Sequence, residues 1–140
     1  MDWLNMPEDT DGYFGFVYLI TRTNALPGER RFYIGCKQFQ SKTKRPPLKG
    51  YKRKRTIIKE SNYKSYYGSS NELLSEIDLH GKQNFKREVL HLATCKWELK
   101  YLEMLEQVNR KVLFDDSYFN GIVNLRIGKC PKNLRQKYGF

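Results

Sequence analysis

The sequence contains no apolar run of about 18 residues, which excludes a membrane-spanning helix. Its three cysteines, Cys36, Cys95 and Cys130, are odd in number, far apart and without a C-x-x-C pair. That pattern argues against a disulfide framework and for reduced thiols in an intracellular, cytoplasmic protein. His80 and His91 stand alone, neither paired with a cysteine at zinc-ligand spacing. Gly68-Ser69-Ser70 lacks the remainder of a P-loop, so nucleoside-triphosphate chemistry has no support. The opening MDWLNMPEDTDG has neither a basic start nor an apolar stretch and is not read as a secretory leader. Internal repeats are absent.

What is present is positive charge. The chain has 140 residues, suited to a single domain over 1–140, and carries 26 Lys plus Arg against 15 Asp plus Glu, a net +11. Ten basic residues fall between Lys37 and Lys59 with no acid among them, whereas 1–12 form an acidic segment with Asp2, Glu8, Asp9 and Asp11. A dense cationic stretch suits a polyphosphate, because each neutralised phosphate releases condensed counterions. A solvated basic loop or a sorting signal would show the same composition. A membrane surface fits less well, since no apolar helical face accompanies the charge.

Phe14–Ile20 (FGFVYLI) and Phe32–Cys36 (FYIGC) have the aromatic and β-branched content of strands. Asn24 and Pro27-Gly28 supply turn chemistry between them, predicting a long-looped hairpin. Residues 37–67, a basic insertion, have little periodicity and read as an extended or irregular arm with one short element near Thr56-Ile57-Ile58. Ser69 with Glu72 makes a capping box, Leu73, Leu74 and Ile77 form a stripe, and Gly81 stops the helix. Asn84–Leu92 reads as a third strand with imperfect alternation. Thr94 is expected to cap a second helix reaching about Val112, with Leu102, Leu105, Val108 and Val112 toward the core. The tail, 121–140, reads as irregular. The sum is an α+β domain: a small, mainly antiparallel three-stranded sheet flanked by helices, in the order β-β-α-β-α.

Two triplets mark the hairpin, Phe16-Val17-Tyr18 and Tyr33-Ile34-Gly35. Strand alternation predicts Phe32 and Ile34 inward with Tyr33 outward, and Val17 and Leu19 opposite to Tyr18. Both hydroxyls then share one surface, and Gly35 lets a phosphate or the basic segment approach the backbone. Two strand tyrosines can equally be a plain cross-strand packing pair.

GFVYLI…FYIGC resembles the signature of the GIY-YIG nuclease family, with Phe-Val-Tyr in place of Gly-Ile-Tyr. ESNYKSYYGSS, HGKQNFKREVL and ELKYLEMLEQV are similar to segments of its small phage-encoded members, so the resemblance runs from about Phe14 to Asn120. It implies a magnesium- or manganese-dependent endonuclease acting on double-stranded DNA. Tyr33 then resembles the tyrosine that deprotonates or orients the attacking water, and Tyr18 its partner near the scissile phosphate. Glu103 resembles the single carboxylate that holds the metal, and Asn120 the asparagine that closes the site.

The residue types suit that chemistry. Phosphodiester hydrolysis needs an activated water, charge compensation on the transition state and help for the leaving oxygen. A tyrosine of pKa about 10 is a poor base unless cations favour the phenolate; Lys37, just beyond Gly35, is placed to do this. One carboxylate with water and phosphate oxygens suffices for Mg²⁺. Glu106, one turn beyond Glu103, competes as the ligand, and pairing with Lys100 or Arg110 is the ordinary use of such a glutamate. The arginine that follows the second triplet in simpler members has no counterpart. Lys42, Lys44, Arg45, Arg53 and Arg55 are substitutes for phosphate contact, with Lys52 and Lys54 in the same DNA-binding run. Ser69 and Ser70, opening a helix, offer amides to a phosphate, although a plain cap looks the same. Tyr63, Tyr66 and Tyr67 can stack on nucleic acid or pack beneath the arm. A non-catalytic nucleic-acid binder that retains the fold, or an RNA-binding protein, would share the charge; Tyr18, Tyr33, Glu103 and Asn120 together favour the nuclease. Cleavage of both strands then requires a dimer or sequential nicking.

Overall fold

Residues 15–22 alternate apolar side chains to both sides, and both sides are covered. In the computed structural model, which describes residues 2–123 and 126–140, β1 (Gly15–Arg22) is the middle strand of a three-stranded antiparallel sheet. Met1 of the acidic segment, and Asn124 and Leu125 of the tail, lie outside the described residues. β2 (Phe32–Gln38) and β5 (Phe85–Ala93) flank β1, giving the order β2-β1-β5.

Phe16, Tyr18 and Ile20 pack with Leu73 and Ile77 of α1 (Asn71–His80) and with Trp3, Tyr63 and Tyr67. Val17, Leu19 and Ile34 pack on the other face with Leu99 and Leu102 of α2 (Lys96–Asn109), Val112 and Tyr118. The expected antiparallel sheet flanked by helices is therefore present, and each helix covers its own face.

The imperfect alternation of the third strand has a physical cause. The β1–β5 register slips between Val17 and Tyr18, so Tyr18 faces Val89 while Val17 faces His91. The extra residue, Leu90, shifts the alternation by one, so that Leu92 joins Phe85 and Val89 in one core and Ala93 joins Leu90 in the other. Between Phe85 and Val89 the inward position is Arg87, 3% exposed, whose guanidinium lies 4.5 Å from the Trp3 ring and 4.2 Å from the Tyr67 ring. It also donates to the carbonyls of Lys64 and Tyr66 at 3.1 and 2.9 Å, fastening that loop.

Four expectations need correction. Residues 37–67 are more ordered than the expected arm: the short element near Thr56-Ile57-Ile58 is β4 (Arg55–Glu60), and it pairs with an unexpected β3 (Gln40–Arg45) in a separate two-stranded hairpin. Its strands pair Thr43 with Ile57 and Lys42 with Ile58, and nearly all its residues are exposed, so it has no apolar alternation to read. Buried Phe39 roots it, its N–H donating to Phe14 carbonyl. The cap of α1 is Ser70, not Ser69; its Oγ accepts from Leu73 N–H at 3.3 Å. The cap position of α2 is Cys95, not Thr94, and Thr94 instead donates its N–H and hydroxyl to Glu98 at 2.7 and 3.0 Å. The inward face of α2 is also rotated from the expected one: Val108 is 53% exposed, while Glu98 and Gln107 are buried. The described tail residues have no regular element over 121–123 and 126–131, and a 3-10 helix follows over Lys132–Tyr138.

Candidate active site at the edge of β2

β2 is an outer strand, so every second residue turns its N–H and C=O away from β1. These groups are met in order along the edge. Phe32 N–H donates to Ser117 carbonyl at 2.9 Å, and Phe32 carbonyl accepts from Phe119 N–H at 2.7 Å. Ile34 N–H donates to Asn120 Oδ1 at 2.9 Å, and Ile34 carbonyl accepts from Asn120 Nδ2 at 2.8 Å and Gln107 Nε2 at 3.3 Å. Cys36 N–H faces the Glu103 carboxylate, as does the Cys36 thiol. Asn120 thus does for β2 what a fourth strand would do, and Glu103 takes the next place.

The two tyrosines approach from the opposite face. In the β1–β2 register Tyr18 lies across from Gly35, and Tyr33 across from Ile20, so all four share a side. The Tyr18 and Tyr33 rings are 6.2 Å apart. That side is not open surface: Tyr18 is buried and Tyr33 half-buried. Gly35 makes room for Tyr18, not for a phosphate; a Cβ there would come within 2.4 Å of the Tyr18 hydroxyl. Gly68 closes the other side at φ +97°, where a Cβ would meet the Tyr33 ring at 3.1 Å and the Tyr18 hydroxyl at 3.4 Å. The Tyr33 hydroxyl reaches Ser69 Oγ at 3.1 Å.

Tyr33, Ser69, Ser70, Glu103, Gln107 and Asn120 line one cleft of about 360 Å³. Five of the sequence-selected residues, Tyr33, Ser69, Ser70, Glu103 and Asn120, are therefore brought together. Tyr18 lies behind Tyr33. Lys37 does not reach the cleft; its Nζ stands 4.2 Å from the centre of the Tyr66 ring, and Tyr66 packs edge-on against Tyr18. Lys42, Lys44 and Arg45 on β3, Arg55 on β4, and Lys52, Arg53 and Lys54 between them are exposed and outside the cleft.

Electrostatics separates the two glutamates. Glu106 bonds His91 Nε2 at 2.6 Å and Arg110 Nε at 2.7 Å. Burial opposes ionisation of Glu106, but Arg110 and His91 outweigh it and lower its pKa. Glu103 is in no ion pair among the described residues; burial raises its pKa, and the bonds from Cys36 offset that only in part. Burial also raises Tyr33, against the lowering hydrogen bond with Ser69, and raises buried Tyr18 well above the phenol range. The expected lowering of the catalytic tyrosine by Lys37 is thus not what this environment produces.

A second groove, about 310 Å³, adjoins on the Cys36 side and is lined by Lys37, Lys96 and Lys100 together with Gln40, Ser61 and Tyr66. None of its lining residues is acidic. Lys96 and Lys100 were not selected from the sequence, nor were Cys36 and Gln107. Their signals were present: Lys96, Lys100 and Glu103 follow i, i+4, i+7 on α2, and Gln107 comes four residues after Glu103.

The sequence model described as "Putative endonuclease segE, GIY-YIG domain" matches residues 3–123. The chain belongs to the GIY-YIG nuclease family. No curated protein and no solved structure matches it. Within the GIY-YIG domain the matched span holds the whole sheet, both helices, the cleft and the lysine groove, and ends before Arg126.

A divalent cation fits the residues of the cleft. Among the described residues no three His, Cys, Asp or Glu side chains cluster, so an all-protein cage is absent. A half-buried carboxylate in no ion pair among the described residues, opening on a polar cleft, is the donor a hydrated Mg²⁺ takes when phosphate supplies further oxygens.

Proposed function

We propose that the chain is a Mg²⁺- or Mn²⁺-dependent endonuclease that hydrolyses phosphodiester bonds of double-stranded DNA. The observation that carries the reading is that Tyr33 and Glu103, approaching from opposite faces of β2, open on one cleft beside an acid-free lysine groove. Glu103 would hold the cation, which when bound offsets charge on the transition state and the leaving oxygen.

The chain's own residues do the rest. Tyr33 is a neutral phenol at neutral pH, since burial raises its pKa. In that form its oxygen orients the attacking water as an acceptor while its own proton is directed at Ser69 Oγ. As the water oxygen bonds to phosphorus, the P–O3′ bond breaks; the water's proton passes to the Tyr33 oxygen, the Tyr33 proton to Ser69 Oγ and the Ser69 proton to solvent, while the departing oxygen takes a proton from solvent. Tyr18 fixes the Tyr33 ring from behind, and Asn120 fixes the strand that carries it. Lys37, Lys96 and Lys100 hold flanking phosphates, and the hairpin cations Lys42, Lys44, Arg45 and Lys52 to Arg55 add non-specific attraction.

The test is supercoiled plasmid with Mg²⁺, with and without chelator, alongside RNA of similar length. Nicked or linear plasmid that disappears with chelator is expected. Intact plasmid with both Mg²⁺ and Mn²⁺ overturns the reading, and cleavage of RNA alone overturns the substrate.

A further inference from the structure

A recess lies away from the cleft, where residues 126–140, beyond the matched span, fold against α2. It measures about 600 Å³ and is walled by Trp97, Tyr101, Tyr138 and Phe140, with Lys129 and Arg135 at its rim. Trp97 and Tyr101 stack at 5.1 Å and 11°, and Tyr138 stands at 78° to Tyr101.

The wall is anchored through a buried carboxylate. Glu98, 0% exposed, accepts from Tyr138 hydroxyl at 2.6 Å and pairs with Lys137 at 2.7 Å, while its other oxygen is held by Thr94. Trp97 Nε1 donates to Gly128 carbonyl at 2.9 Å. The polar handles of Trp97 and Tyr138 are thus satisfied within the protein, and these two side chains offer the recess only their rings. Arg135 uses Nε on the Cys130 carbonyl at 3.1 Å, leaving its terminal nitrogens for a ligand. No acidic residue lines the recess. Flat ring faces with a cationic rim select a flat, anionic ligand.

We propose that this recess binds an unpaired nucleotide of the DNA substrate, its base stacked on the aromatic wall and its phosphate on Lys129 and Arg135. It rests on the DNA reading above for the identity of the ligand, and extends it to strands whose bases are out of the duplex.

Trp97 supplies the readout, because Trp3 is buried beneath Arg87. The full chain, with chelator present, is titrated with oligothymidylate, with an abasic phosphate polymer of equal length, and with duplex, while binding is followed separately by anisotropy. Oligothymidylate is expected to quench Trp97 fluorescence, with weaker quenching by duplex and none by the abasic polymer. Trp97→Leu should weaken oligothymidylate binding by about 5- to 160-fold, the range for loss of a base–aromatic stack. Arg135→Gln, which spares the rings, should weaken it and reduce its salt dependence. Oligothymidylate that binds without quenching, or equal quenching by the abasic polymer or the duplex, overturns the proposal, as does absence of binding. Plasmid cleavage scores the nuclease reading separately, since neither variant touches the cleft.

Discussion

Asn120 bonds both backbone groups of Ile34, the residue between Tyr33 and Gly35, at 2.9 and 2.8 Å. It is 9% exposed and spends its amide on the strand. Its part in closing the site is therefore to hold the edge that carries Tyr33. Asn120→Ala should destabilise the fold by on the order of 1–3 kcal/mol, because the Ile34 N–H loses its partner and the Ile34 carbonyl keeps only Gln107. Urea unfolding measures this; a change below about 0.5 kcal/mol would mean that the edge finds other partners.

Tyr33→Phe keeps the ring on Tyr18 and removes only the bond to Ser69. Cleavage should fall by about 10²- to 10⁴-fold, the usual range for a positioned proton-transfer group. DNA affinity and the thermal midpoint should hardly move. A variant within a few-fold of the parent would reduce Tyr33 to packing.

Lys96 and Lys100 face the same groove as Lys37. Changing both to Ala should weaken DNA binding and reduce the slope of log affinity against log salt by up to about 0.9 for each phosphate that is no longer neutralised. The same measurement on Arg53→Ala/Arg55→Ala separates the groove from the hairpin. An unchanged slope in the lysine pair would direct DNA elsewhere.

How far the sequence discloses this arrangement depends on periodicity. The tyrosine strands follow a period of two and the α1 stripe a period near four, so sheet and helices are legible. The β3–β4 hairpin is not, because both its faces are polar and exposed. Glu103 and Glu106 are equivalent along the chain; what separates them is His91, fifteen residues away. Asn120 and Ile34 are 86 residues apart, and nothing local announces that bond.

Glu103 is held ionisable against its environment. Burial raises its pKa, so the folded chain binds this proton more tightly than the unfolded one. The stability it contributes is present below the unfolded value of about 4.3 and is lost as pH rises through the folded value. Glu103→Gln, always neutral and still an acceptor for Cys36 N–H, should therefore equal or exceed the parent in stability at pH 7. That gain should vanish near pH 4, about the unfolded value. Urea unfolding at both pH values checks it, and a less stable variant at pH 7 would make the carboxylate a structural partner.

Whether the Glu103 carboxylate serves cleavage or the fold is decided by plasmid cleavage with Glu103→Gln in saturating Mg²⁺, with DNA affinity measured on the same preparation. A loss of at least about 10²-fold in rate is expected, the scale of a removed electrostatic contact in a transition state, with affinity retained or increased. A rate within a few-fold of the parent, or loss confined to Glu106→Gln, would contradict a role in cleavage.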